Sequence, residues 1–177
     1  EAEGCPGDDQ SVKEMVLRVD KEFLDSGQGS GSTATMCIIH KPTIAGGKHG
    51  LHVINAGDSR VLLGRADGTI VSGGDHCTEE GLTVDHKPCH PSEYDRIYRC
   101  GGYVEQQPGG VARVNGDLAV SRGYGDAEYK KTGGPGPEDR PVTANPEMGH
   151  YECDATDFLM LVCDGVSEGN FPNPEVV

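Results

Sequence analysis

This chain of 177 residues contains no tryptophan, and aromatic side chains make up 5% of it. Its core must therefore be built from aliphatic groups rather than large rings. Long apolar runs are missing too. None approaches the roughly 18 residues of a membrane-spanning helix, and the opening Glu1-Ala2-Glu3-Gly4 is unlike a secretion signal. Basic residues are scarce, 15 against 29 acidic ones, and the formal net charge is −14. Such a chain repels phosphate backbones and anionic lipid, so no nucleic acid and no membrane surface is expected as a partner, whereas divalent cations suit it. No Cys-x-x-Cys pair occurs. The seven cysteines are an odd number, and Cys37 and Cys163 lie inside apolar patterns where they act as small hydrophobes. These features predict a reduced, soluble, intracellular protein, with the cytoplasm as its location. No feature sets an oligomeric state.

Glycine and proline are abundant, at 27 and 11 residues, and predict many turns and loops. The length suits one domain with its own core. Residues 1–10 read as a loop. Val12, Met15, Val16, Val19 and Phe23 then recur at helical spacing, with Ser11 and Glu14 as a capping box. The small-residue stretch from Ser26 to Ser32 leads into a strand over Thr33–Ile39, followed by strands over Leu51–Ala56 and Arg60–Gly64. The tight connection Asn55-Ala56-Gly57-Asp58-Ser59-Arg60 predicts a hairpin between the last two, and Asp67-Gly68 predicts another into Thr69-Ile70-Val71. Together these make an antiparallel meander. Pro91 opens a helix that stops at Gly101-Gly102, with Tyr94, Ile97 and Tyr98 as its core face. Asn115-Gly116 is a type I′ turn into Asp117–Val120. Residues 121–141 hold few apolar groups and predict an exposed, mobile flap. Asn173-Pro174 announces a helix as the sequence stops, so the expectation is a piece of a longer polypeptide.

Two stretches can carry chemistry. Residues 72–90 hold His76, Cys77, His86, Cys89 and His90, enough ligands for zinc but without the paired spacings zinc modules use. Leu82 to Pro88 reads instead as a strand end that delivers Asp85. The second stretch is Phe158-Leu159-Met160-Leu161-Val162-Cys163, an apolar run ending in Asp164-Gly165. It predicts a strand covered on both faces, pairing beside or near a strand over Met148–Cys153. Asp164 at its tip is either a turn residue or a stiffly held cation ligand.

Six blocks occur in order: Ser30-Gly31-Ser32-Thr33-Ala34; Asn55 to Arg60; Leu82-Thr83-Val84-Asp85-His86-Lys87-Pro88; Glu93 to Ile97 with Gly101-Gly102; Arg113 to Asp126; and Cys163-Asp164-Gly165. This series resembles the metal-dependent serine/threonine protein phosphatases of the protein phosphatase 2C type. The resemblance implies an α+β fold, a central sandwich of two antiparallel β-sheets flanked by α-helices, incomplete in this chain, with residues 11–177 a partial catalytic domain. It implies hydrolysis of phosphoserine and phosphothreonine in a phosphoprotein substrate. The cofactors implied are Mn2+ or Mg2+, two or three ions in the complete domain, which activate a water and offset phosphoryl charge. Asp164 matches a metal-binding aspartate, and Asp85 the aspartate that with it holds a more weakly bound third ion. Residues 121–141 match the start of the family's flap, while Asp58 and Asp126 read as turn and capping groups. The Asp-Gly-His-Gly-Gly block with its bridging aspartate and histidine acid, the phosphate-binding arginine and the late Asp-Asn block do not occur here. No catalytic residue is therefore assigned, and Glu168 stands where the family has an aspartate. The chain is expected to be inactive alone. A pseudophosphatase that uses the fold to dock a protein is the alternative.

Overall fold

In the computed structural model, which describes residues 7–73 and 81–167, the first helix starts nearly one turn earlier than its Ser11 signal. Asp8 is the N-cap, and its carboxylate accepts from the Ser11 backbone N–H at 2.9 Å and the Ser11 hydroxyl at 2.8 Å. Asp8 thus accepts the Ser11 N–H that a capping box would have given to the Glu14 side chain. In chain order the elements are α1 (Asp9–Asp25), β1 (Gly31–Ser32), β2 (Ala34–His40), β3 (His49–Ala56), β4 (Arg60–Gly64) and α2 (Pro91–Arg99). They continue with β5 (Val104–Glu105), β6 (Arg113–Val114), β7 (Tyr124–Gly125), a 3-10 turn (Ala127–Lys130), β8 (Glu147–Cys153), β9 (Phe158–Val162) and α3 (Asp164–Ser167). They divide into two units, Glu1–Ala34 with His86–Pro146, and Thr35–Asp85 with Glu147–Val177.

In the first unit, Ile97, Val114 and Val142 form a small core with Val104, Leu118 and Tyr129 against it. Buried polar groups add to the holding. Glu93 of α2 is 1% exposed and takes Arg96 Nη1 at 2.7 Å, Arg122 Nη2 at 2.7 Å and the Ser121 hydroxyl at 2.6 Å. Arg96 also donates to the carbonyls of Ser121 and Arg140. The buried face of α2 is thus Glu93, Arg96 and Ile97, while Tyr94 and Tyr98 are exposed and lie against one another, tilted by 37° with ring centroids 4.6 Å apart. This corrects the expected tyrosine core face: the charged stripe turns inward because each buried charge finds a partner there.

Asp20 of α1 is buried in the same way. It accepts from Lys130 Nζ at 2.7 Å and from the Gly125 N–H at 2.7 Å, so α1 buries Val12, Val16 and Asp20 and leaves Val19 and Phe23 exposed. These bonds also correct the expectation of an exposed segment for its first half, residues 121–130, whereas Lys131, Thr132, Gly133, Pro135 and Pro137 are exposed. Ser121, Gly123 and Gly125 are buried, β7 pairs with β1, and Tyr129 lies against the small core. Ion pairs and backbone bonds fix the segment where apolar groups are few. Asp126 sits at φ +53° before the 3-10 turn, and its carboxyl occupies the space a side chain on Gly31 would fill, with Asp126 Oδ2 2.2 Å from that Cβ position. The expected type I′ turn is present, with positive φ at both Asn115 and Gly116.

The second unit holds two antiparallel sheets, ordered β2-β3-β8 and β4-β9. Leu51 and Val53 of β3, Val61 and Leu63 of β4, and Cys153 of β8 meet in one core with Leu82. Two expectations are corrected here. Residues 55–60 do not close a hairpin: β3 pairs with β8 and β4 with β9, so the chain crosses from one sheet to the other. A short connection serves either purpose, and both strands bury apolar residues that fill the space between sheets. The strand covered on both faces is β4, all of whose residues are buried, whereas β9 has Phe158 40% and Leu161 49% exposed. It pairs with β4 rather than beside β8. The Asp67-Gly68 turn is as expected, with Gly64 bridged to Ile70 and Gly68 N–H bonded to the Arg65 carbonyl.

Candidate metal centre

The β4-β9 ladder ends at the pair Arg60↔Val162. Beyond it the register places Asp58 and Asp164 at the same end of the sheet, since each lies two residues past the last pair. Asp164 is exposed and opens α3, and its Oδ1 accepts from the Gly165 N–H at 2.8 Å. The turn reading and the ligand reading of Asp164 are therefore compatible. One oxygen is held by the backbone, and the other has no partner among the described residues.

Asp85 lies in a different setting. It is 6% exposed, and Arg60 grips it with two bonds, Nε to Oδ1 at 2.9 Å and Nη2 to Oδ2 at 2.8 Å. Asn55 Nδ2 adds bonds to the carbonyls of Val84 at 2.9 Å and Gly57 at 3.1 Å. The end of β3, the turn at residues 57–59, the start of β4 and the segment carrying Asp85 are thereby tied into one buried clamp. A planar guanidinium meeting both carboxylate oxygens fixes orientation as well as charge. Each oxygen of Asp85 keeps a lone pair, but a cation there must share the carboxylate with Arg60. Asp58, buried as well, lies in the turn that the clamp closes.

Hard oxygen donors suit manganese and magnesium, and Asp164 fits such an ion as an exposed carboxylate just beyond the end of β9. Asp85 fits it only in competition with Arg60. Among the described residues, neither aspartate belongs to a group of three or more side chains close enough to share an ion. Glu168 and two of the zinc candidates, His76 and Cys77, lie outside the described residues. Of the other zinc candidates, His86 is buried, Cys89 is exposed, and His90 Nδ1 lies 3.0 Å from the Ser92 hydroxyl. These three do not form a ligand group.

Sequence reasoning treated Asn55 to Arg60 as a turn and missed Arg60. The one signal was an arginine at the head of a strand whose neighbours are apolar, a position that requires a buried counter-charge. Glu93 gave no signal of its role. Burial pushes its carboxyl up, but the hydrogen bonds and charge of Arg122 and the charge of Arg96 outweigh burial and bring it down to about 2.

Comparison with known proteins adds to this geometry. A family model described as Protein phosphatase 2C matches residues 4–170. Protein phosphatase 1B of Bos taurus is 40% identical over 164 residues, which cover 88% of this chain and 29% of that protein. Protein phosphatase 2C homolog 2 of Schizosaccharomyces pombe is 36% identical over 163 residues, covering 89% of this chain and 38% of its own length. The chain spans about a third of the length of the curated relatives it matches. Among solved structures, a phosphatase from a pathogenic strain of Toxoplasma gondii superposes with a TM-score of 0.76 at 26% identity, over 97% of this chain and 63% of that one. A C. elegans sex determining protein shares the fold, with a TM-score of 0.67 at 21% identity over 94% of this chain and 36% of its own. The α+β architecture with antiparallel sheets is therefore a known one, and the chain belongs to the protein phosphatase 2C family.

Proposed function

We propose that this chain supplies part of the active site of a protein serine/threonine phosphatase, with Asp164 as a metal ligand. The observation that carries the reading is Asp164 itself: an exposed carboxylate two residues past the end of β9, at the first position of α3, with one oxygen held by the Gly165 N–H, in a chain of this family. Bound Mn2+ or Mg2+ would supply an activated water and charge to offset the phosphoryl oxygens. Asp164 would hold such an ion in a fixed direction. Asp85 is the second ligand in this reading, and its sharing with Arg60 would make binding of an additional ion there weak. Arg60 and Asn55 are positioning residues that hold the segment carrying Asp85. The substrate class is phosphoserine and phosphothreonine in proteins. Relatives named protein phosphatases favour this enzyme over a docking module. A cytoplasmic location belongs to the same reading, supported by free thiols at Cys37, Cys89, Cys100, Cys153 and Cys163.

The test is manganese-dependent release of phosphate from a phosphothreonine peptide by the full-length protein. Asp164→Asn should lower the rate by more than the roughly 10–100-fold that loss of even an outer partner of a metal ligand costs. Near-normal activity in Asp164→Asn would overturn the assignment. The chain alone, lacking the Asp-Gly-His-Gly block, should release no phosphate.

A further inference from the structure

We propose that a groove along α1 binds an acidic, aliphatic peptide segment of a partner protein. The groove has a volume of about 480 Å³ and lies within the first unit, between α1 and the segment at 135–140. Leu17 and Leu24 line one side and Pro135 and Pro137 the other. The two leucines are seven residues apart, about 10 Å along a helix, and this stripe is distinct from the packed stripe of Val12, Val16 and Asp20. That length accommodates about three residues of extended peptide.

The charges decide what kind of peptide fits. Asp20 contributes no unbalanced negative charge, because Lys130 and the Gly125 N–H satisfy it. Lys21 is paired with Asp25 at 2.5 Å. Arg18 and Arg140 also line the groove, and neither has a carboxylate partner among the described residues; Arg140 is oriented by the carbonyls of Gly134 and Asp139. Two uncompensated guanidiniums beside apolar walls, on a chain of net charge −14, make a local site for carboxylates flanked by aliphatic side chains. A free phosphate leaves the apolar walls unused. An anionic lipid surface is too broad to enter the groove, so it meets the acidic surface around the two guanidiniums rather than the guanidiniums alone. The site requires no metal and no catalysis, so it stands or falls separately from the phosphatase reading.

The probe is a fluorescein-labelled Glu-Leu-Glu-Leu-Glu peptide, titrated with the chain and followed by anisotropy at about 50 mM salt, where exposed charges are weakly screened. Saturable binding with Kd below about 1 mM is expected. Arg18→Glu exchanges one exposed ion pair for a repulsion of similar size and should weaken binding about tenfold. Arg18 is exposed, so unchanged circular dichroism is expected and separates lost binding from lost folding. Leu24→Ser should weaken binding as well, and Lys131→Glu, exposed outside the groove, should not. Lack of saturation, equal binding of the Lys-Leu counterpart, an Arg18→Glu variant that binds normally, or displacement by equimolar inorganic phosphate would each overturn the proposal.

Discussion

Replacing Glu93 by glutamine keeps the shape of the side chain and removes its charge. Arg96 and Arg122 would then face each other's charge with only neutral acceptors, and Arg96 is 8% exposed. Breaking a buried pair in this way costs about 3–5 kcal/mol. Linkage gives a similar size. The carboxyl is brought from 4.5 to about 2 in the folded protein, and at about 1.4 kcal/mol per unit of pKa this contributes roughly 3 kcal/mol at neutral pH. The folded value lies below the unfolded one, so the contribution is complete above about pH 5 and is lost as pH falls through 4.5 toward 2. Urea unfolding followed by circular dichroism, which needs no tryptophan, measures both quantities. At pH 7 Glu93→Gln should lower stability by about 3 kcal/mol and Tm by roughly 6–12 °C for a chain of this size. By pH 3 the gap between the two proteins should shrink to less than half. A gap below about 1 kcal/mol at pH 7, or one undiminished at pH 3, would refute the reasoning.

Three further outcomes are expected. Gly31→Ala would set a Cβ 2.2 Å from the Asp126 carboxyl and should cost about 1–3 kcal/mol of unfolding free energy, most of it recovered in the double variant with Asp126→Ala; a single variant as stable as the parent would show that the close approach is absent. Arg60→Met leaves Asp85 charged and buried and should destabilise by about 3–5 kcal/mol in urea, whereas Arg60→Met with Asp85→Leu should approach the parent, and an additive double variant would count against the clamp. Burial, with the Cys153 thiol adding to it, pushes the Cys37 thiol up to about 11, so at pH 8 peptide mapping after brief thiol labelling should find Cys89 and Cys163 modified and Cys37 intact; Cys37 labelled as fast as Cys89 contradicts this.

The devices that the sequence determined are those decided within a few residues. Asn115-Gly116 takes positive φ at both positions, Pro91 opens α2, and Asp67-Gly68 turns the chain back on itself, because backbone sterics and local bonds settle these without reference to the rest of the molecule. The carboxylate at the end of the run from Phe158 was legible for the same reason. The tertiary structure decided what depends on distant approach. Whether residues 55–60 form a hairpin or a passage between sheets is set by the core that β3 and β4 share with β8, not by the connection. Helix periodicity offered two stripes on α2, and the charged one turned inward only because Arg122 and Ser121 come from elsewhere to meet Glu93. Asp85 finds Arg60 across 25 residues and Asp20 finds Lys130 across 110. A carboxylate looks the same in sequence whether it waits for a cation or already holds an arginine, and only the fold that brings the partner within reach separates the two.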